Sequence, residues 1–220
     1  MLSPEGLHGL YAGRTGVVIG NGPSLKDVPL DFLRSYSTFG SNRIYLMFHP
    51  TFYVCVNPLV WEQNKQDIST LGGSMVKFLP KAWGDKSSYP LATISTPMFS
   101  FNPMSWVYEG YTVTFVSLQL AFYLGFETIL LVGIDHRYTF EGAPNERHML
   151  QGEDPNHFSP DYFRGQFWNN PDLERSEKAY QMARIAYEDN GRRIINLTPN
   201  SALEVFEKGE LVEWLQELPQ

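Results

Sequence analysis

The run Thr-Ile-Leu-Leu-Val at 128–132 limits what this chain can become more than any other stretch. It is apolar throughout, without the alternation of a strand that faces water on one side. Such a strand needs cover on both faces. The segment before it, Thr112 to Leu124 (TVTFVSLQLAFYL), is apolar nearly all round and reads as a buried helix. Gly125 then stops that helix in the manner of a left-handed C-terminal cap. Asp172 to Asp189 is amphipathic, Gly191 ends it, and Arg193–Asn196 (RIIN) follows as a further strand. Strand–helix–strand order with continuous apolar strands predicts an α/β fold, a mainly parallel sheet with helices on both faces.

Shorter strands are expected at Gly16–Ile19, Thr38–Asn42, Phe52–Asn57, Met75–Leu79 and Leu91–Ile94, and Pro29–Ser35 carries helical spacing. Residues 84–109, rich in Gly, Ser, Pro and aromatics, read as a surface excursion. Residues 135–171 have no clear period and read as a lid-like loop region, since a loop this long in a compact domain is usually functional or mobile. A chain of 220 residues, 43% hydrophobic and 15% aromatic, fits one domain over 1–220 with a full core.

The formal charge of −7 argues against a broad nucleic-acid footprint. Any anionic ligand would rest on local backbone N–H groups and a few side chains. The lone cysteine, Cys55, lies in an apolar run and reads as a small buried hydrophobe. It allows no intrachain disulfide and no zinc cluster, which points to a reducing cytoplasm. The opening residues lack the apolar core of a signal peptide, and no run approaches the roughly 18–20 apolar residues of a membrane span. A cytoplasmic protein without a membrane span is expected, with oligomerisation open.

Four constellations could carry chemistry. In GVVIGNGPSL (16–25) an apolar strand runs into Gly20, Asn21, Gly22, Pro23 and Ser24. This is neither a Walker A loop nor a GxGxxG fingerprint, because Leu25 stands where a third glycine is needed. The two remaining readings stand level: a phosphate cradle with Ser24 capping the next helix, or a structural turn. Asn21, Asn42 and Asn57 follow three consecutive strands, at the edge where open α/β sheets bind ligands. Their amides can read a base, ribose or phosphate, although asparagine also simply favours turns. VGIDH places Asp135 at another strand end, as a ribose, metal or orienting partner or a cap. Finally, GEDPNHFSPDYF (152–163) gathers Asp154, His157, Asp161 and Tyr162, suited to general-base work, to a divalent ion or to a solvated loop.

In order, IGNGPSL, GSNRIYL, VCVNP, LLVGIDH, DPNHFSPDYF and LTPNSALEVF resemble the bacterial family named after archaeal 6-hydroxymethylpterin diphosphokinase, which includes motility-accessory proteins. The same landmarks are similar to those of glycosyltransferase family 42, sialyltransferases that use CMP-sialic acid. The resemblance spans roughly residues 14–206 and implies a single-domain GT-A-like Rossmannoid fold. It implies a nucleotide site at Gly20–Ser24, Asn42, Asn57, Thr112, Thr114, Gly133 and Asp135. It further implies metal-free transfer from a CMP-type nucleotide sugar to a glycan acceptor in surface glycan or glycoconjugate synthesis, with tyrosines on the leaving phosphate and a histidine base. The sialyltransferases carry that histidine in a Gly-His-Ser element that this chain lacks. The expected catalytic group is therefore His157 or Asp161, with Tyr162 towards the phosphate. The alternatives are Mg²⁺-ATP-dependent diphosphoryl transfer, with Asp135 and Asp154 as metal ligands, and a non-catalytic nucleotide-binding accessory protein.

Overall fold

The computed structural model describes residues 2–216. In chain order the elements are β1 (Thr15–Ile19), α1 (Leu30–Arg34), β2 (Ser37–Ser41), β3 (Phe52–Val54), α2 (Pro58–Thr70), β4 (Val76–Pro80) and β5 (Ser88–Leu91). There follow β6 (Thr93–Ile94), β7 (Val107–Tyr108), α3 (Val113–Leu124), β8 (Thr128–Val132), β9 (Arg147–Met149) and β10 (Phe167–Asn169). The last are α4 (Leu173–Glu188), β11 (Arg193–Asn196), β12 (Glu207–Lys208) and α5 (Leu211–Gln216). Eight strands form one sheet in the order β12-β11-β8-β1-β2-β3-β4-β5, with every pair parallel. This is a Rossmann-like α/β architecture.

The unbroken apolar strands explain the layering. Val18 of β1 and Ile129 and Leu131 of β8 face a core built with α3 and α4. Val17, Ile19, Leu130 and Val132, one residue out of phase, face a second core that includes α1 and α2. Successive side chains leave opposite faces of a strand, so a doubly covered sheet needs apolar residues at every position. All five residues of β8 are buried. Helix α3, expected to be buried all round, has every residue from Thr114 to Leu124 buried.

The helix boundaries follow from local chemistry. Thr112 accepts a hydrogen bond from Thr114 N at the start of α3, and Asp172 one from Arg175 N at the start of α4. Gly125 ends α3 at φ +97°, and a Cβ there would sit 2.9 Å from Gly9 Cα. The sequence pattern predicts no helix after Asn57, yet α2 runs 13 residues. Its start carries a cap signal: Asn57 Oδ1 accepts from Leu59 N and Val60 N, and Pro58 opens the first turn. Its apolar period is masked by a break at Asn64, where φ is −128°.

The region 135–171, expected to be lid-like, packs on the sheet. Strands β9 and β10 pair antiparallel, and Phe158, Tyr162, Phe163 and Trp168 join the second core. Gln63 of α2 bonds both the N–H and the C=O of Phe167.

The strand order puts a switch at the centre. From β1 the chain moves outward to β5, then returns across the sheet to β8 on the other side of β1. Loops leaving β1 and β8 therefore diverge, and the crevice between their carboxyl ends is where such sheets bind ligands.

Candidate functional site

A cavity of about 360 Å³ opens at that crevice. Gly20, Asn21 and Gly22 after β1, Asn42 after β2, Asn57 after β3, Thr112 and Thr114 at α3, Gly133 and His136 after β8, and His157 all line it. All of these except His136 are nucleotide or catalytic residues expected from the sequence. Pro23, Ser24, Asp135, Asp161 and Tyr162 are not among the lining residues.

The displaced residues have structural tasks. Asp135 accepts from Ser24 N (3.2 Å) and Ser24 Oγ (2.8 Å), so its carboxylate occupies the donors a phosphate cradle would offer. Gly22 N donates to Gly133 O, and Gly20 N to Val132 O. A Cβ on Gly20 would collide with Gly133 O, and one on Gly22 with the Asp135 carboxylate. The two glycines thus let the β1 and β8 loops lie against each other. Pro23 to Asp27 form a 3₁₀ turn, so no helix begins at Ser24 to face a ligand. Thr198 and Ser201, from the LTPNS stretch, brace the β8 loop through Ile134 N and Ile134 O.

Among the described residues, each strand-end asparagine keeps one end of its amide without a hydrogen-bond partner. Asn21 Nδ2 donates to Ser41 O and Ser41 Oγ, which leaves Asn21 Oδ1 buried without a partner. Buried polar atoms are normally paired, and Asn21 Oδ1, on a residue that lines the cavity, is an exception among the described residues. Asn57 spends Oδ1 on the α2 cap, leaving Nδ2. Asn42 sits at φ +53°, a left-handed conformation asparagine tolerates, and its Oδ1 accepts from Cys55 Sγ at 3.7 Å. Cys55 itself is fully buried, and burial pushes its thiol up to about 12.

The start of α3 faces the same space. Thr114 N and Phe115 N are bonded to Thr112 Oγ1 and Thr112 O, and the partial positive charge of the helix start favours an anion there. Among the described residues that line the cavity there is no lysine and no arginine. Glu109 is its one acidic residue, and burial pushes that carboxyl up despite the opposing Thr93 hydroxyl.

His157 is held on two sides, by a carboxylate and by a stacked ring. Its Nδ1 lies 2.8 Å from Oδ2 of buried Asp154, whose Oδ1 accepts from Asn156 N. The imidazole stacks on Tyr162 at 4.1 Å between centroids and 4° between planes. With Nδ1–H given to the carboxylate, Nε2 presents its lone pair. Among the described residues nothing hydrogen-bonds Nε2. Tyr162, expected at a phosphate, is fully buried, and its hydroxyl accepts from Arg43 N at 3.0 Å. Asp161 is exposed and pairs with Arg164 at 2.6 Å.

Among the described residues, no group of three or more His, Cys, Asp or Glu side chains is placed to hold a metal ion. Asp135 and Asp154, the expected Mg²⁺ ligands, each spend both oxygens on separate protein donors. Neither falls in a cluster of the kind that surrounds an octahedral ion.

No protein-family model, curated protein or solved structure matches the chain. Fold and site together define an α/β protein with a polar cavity at the switch point of a Rossmann-like sheet. No helix among the described residues is long and apolar enough to cross a membrane.

Proposed function

We propose that the chain is a nucleotide-dependent glycosyltransferase of GT-A-like type, moving a sugar from a CMP-type donor to a glycan hydroxyl. The observation that carries this reading is the His157–Asp154 pair on the cavity that the three strand-end asparagines share. His157 Nε2 takes the proton of the acceptor hydroxyl as its oxygen bonds the anomeric carbon. The sugar–phosphate bond breaks, its electron pair stays on the phosphate oxygen, and the nucleoside monophosphate departs.

The free amide ends support cytosine. One acceptor from Asn21 and donors from Asn42 and Asn57 complement a base edge with one donor and two acceptors. The Mg²⁺-ATP alternative has less support, because the carboxylates it needs are already bonded within the protein.

A panel of thermal shifts tests the reading. CMP without Mg²⁺ should stabilise the protein, by about 2.7 kcal/mol at ~100 Kd. A shift given only by Mg²⁺-ATP would replace transfer from CMP with diphosphoryl transfer. Binding of CMP without turnover of any CMP-sugar would leave a nucleotide-binding accessory protein.

A further inference from the structure

We propose that His136 is the residue that meets the phosphate of the bound nucleotide, an assignment that rests on the nucleotide-transfer reading above. His136 follows β8, lines the cavity and is 8% exposed. It holds φ +53°, a backbone conformation that costs a non-glycine residue energy and that recurs where a side chain must be aimed. Its Nε2 lies 3.0 Å from Glu177 Oε1 on α4, which fixes the ring, and among the described residues nothing hydrogen-bonds Nδ1. The ring meets Tyr180 edge-on at 6.0 Å, and the Tyr180 hydroxyl lies 3.2 Å from Thr112 Oγ1, the cap of α3. A run of contacts therefore joins Glu177, His136 and Tyr180 to the helix start that faces the cavity.

Charge makes the assignment specific. With no lysine or arginine among the described lining residues, only His136 and His157 can bring a positive charge to a phosphate. His157 is oriented as a base, with Nδ1 on Asp154. His136 stands at the sheet's switch point beside the α3 cap. A phosphate on Nδ1 and the Glu177 carboxylate on Nε2 would each accept a hydrogen bond from the ring. As the sugar–phosphate bond breaks, the charge left on the phosphate oxygen strengthens the Nδ1–H bond, while the acceptor's proton goes to His157.

Calorimetric titration separates phosphate from base. Cytidine and CMP, uridine and UMP, and adenosine and AMP are titrated into the wild type, His136→Asn and Glu177→Gln. Asparagine tolerates the left-handed backbone at 136, so the loop keeps its course. In His136→Asn the monophosphate affinity should fall about tenfold or more, as for loss of a charge-assisted bond, while nucleoside affinity stays within about twofold. Glu177→Gln should lower the monophosphate affinity alone, by less. Equal weakening of nucleoside and monophosphate, or no change in either, overturns the assignment and leaves the nucleotide reading intact. A wild type that binds none of the six sinks both.

Discussion

At the scale of single residues, the site is built by side chains that hold others in place. His157→Ala should cost about 10²–10⁴-fold in turnover, the usual worth of a general base, while the CMP-induced shift in melting temperature persists. Tyr162→Phe separates support from contact. It removes only the bond from Arg43 N, so about 0.5–1.5 kcal/mol of stability should go and turnover should hold within a few-fold. A collapse in turnover would put the hydroxyl on the substrate after all. The residue types at strand ends were legible in the sequence; their divided duties were not. Asn57 serves both a helix cap and the cavity, and nothing in VCVNP separates the two. The importance of His136 depends on Glu177, 41 residues away. The only local sign was a histidine directly after GID.

At the scale of elements, legibility tracks hydrophobic period. Strand β8 has the bounds expected from TILLV, and α3 and α4 end within a residue of the expectation, because their apolar patterns are long and their caps explicit. Helix α2 was hidden by its break at Asn64, whose Nδ2 bonds Val60 O and Gln166 Oε1. The strands in 135–171 escaped notice because β9 and β10 are three residues each. Gly125→Ala tests the tightest of the helix ends. A left-handed alanine that meets Gly9 Cα and Ala12 N should cost about 1–3 kcal/mol, read from urea midpoints. If the midpoint does not move, the Gly9–Ala12 segment has yielded instead.

For the whole molecule, a buried ion pair that is no part of the cavity lining ties stability to pH. Lys77 of β4 is 2% exposed, and its Nζ lies 3.2 Å from Asp85 Oδ2. Burial pushes the Asp85 carboxyl up, but Ser87 and Lys77 together outweigh it and hold it below the ordinary range. Its contribution is therefore present above about pH 3.9, the ordinary aspartate value, and disappears as pH falls through the depressed folded value. Asp85→Asn should lose about 3–5 kcal/mol at pH 7, since it strands a buried ammonium, and acid unfolding should flatten over that window. An unchanged acid limb in the variant would show that other carboxylates govern it. Cys55 lies under Asn42, shut from solvent, with its thiol held protonated. One sulfhydryl in 220 residues makes the chain its own opening clock. A thiol reagent should label it only as fast as the core beneath the asparagines comes apart, and saturating nucleotide should slow that labelling in proportion to its binding.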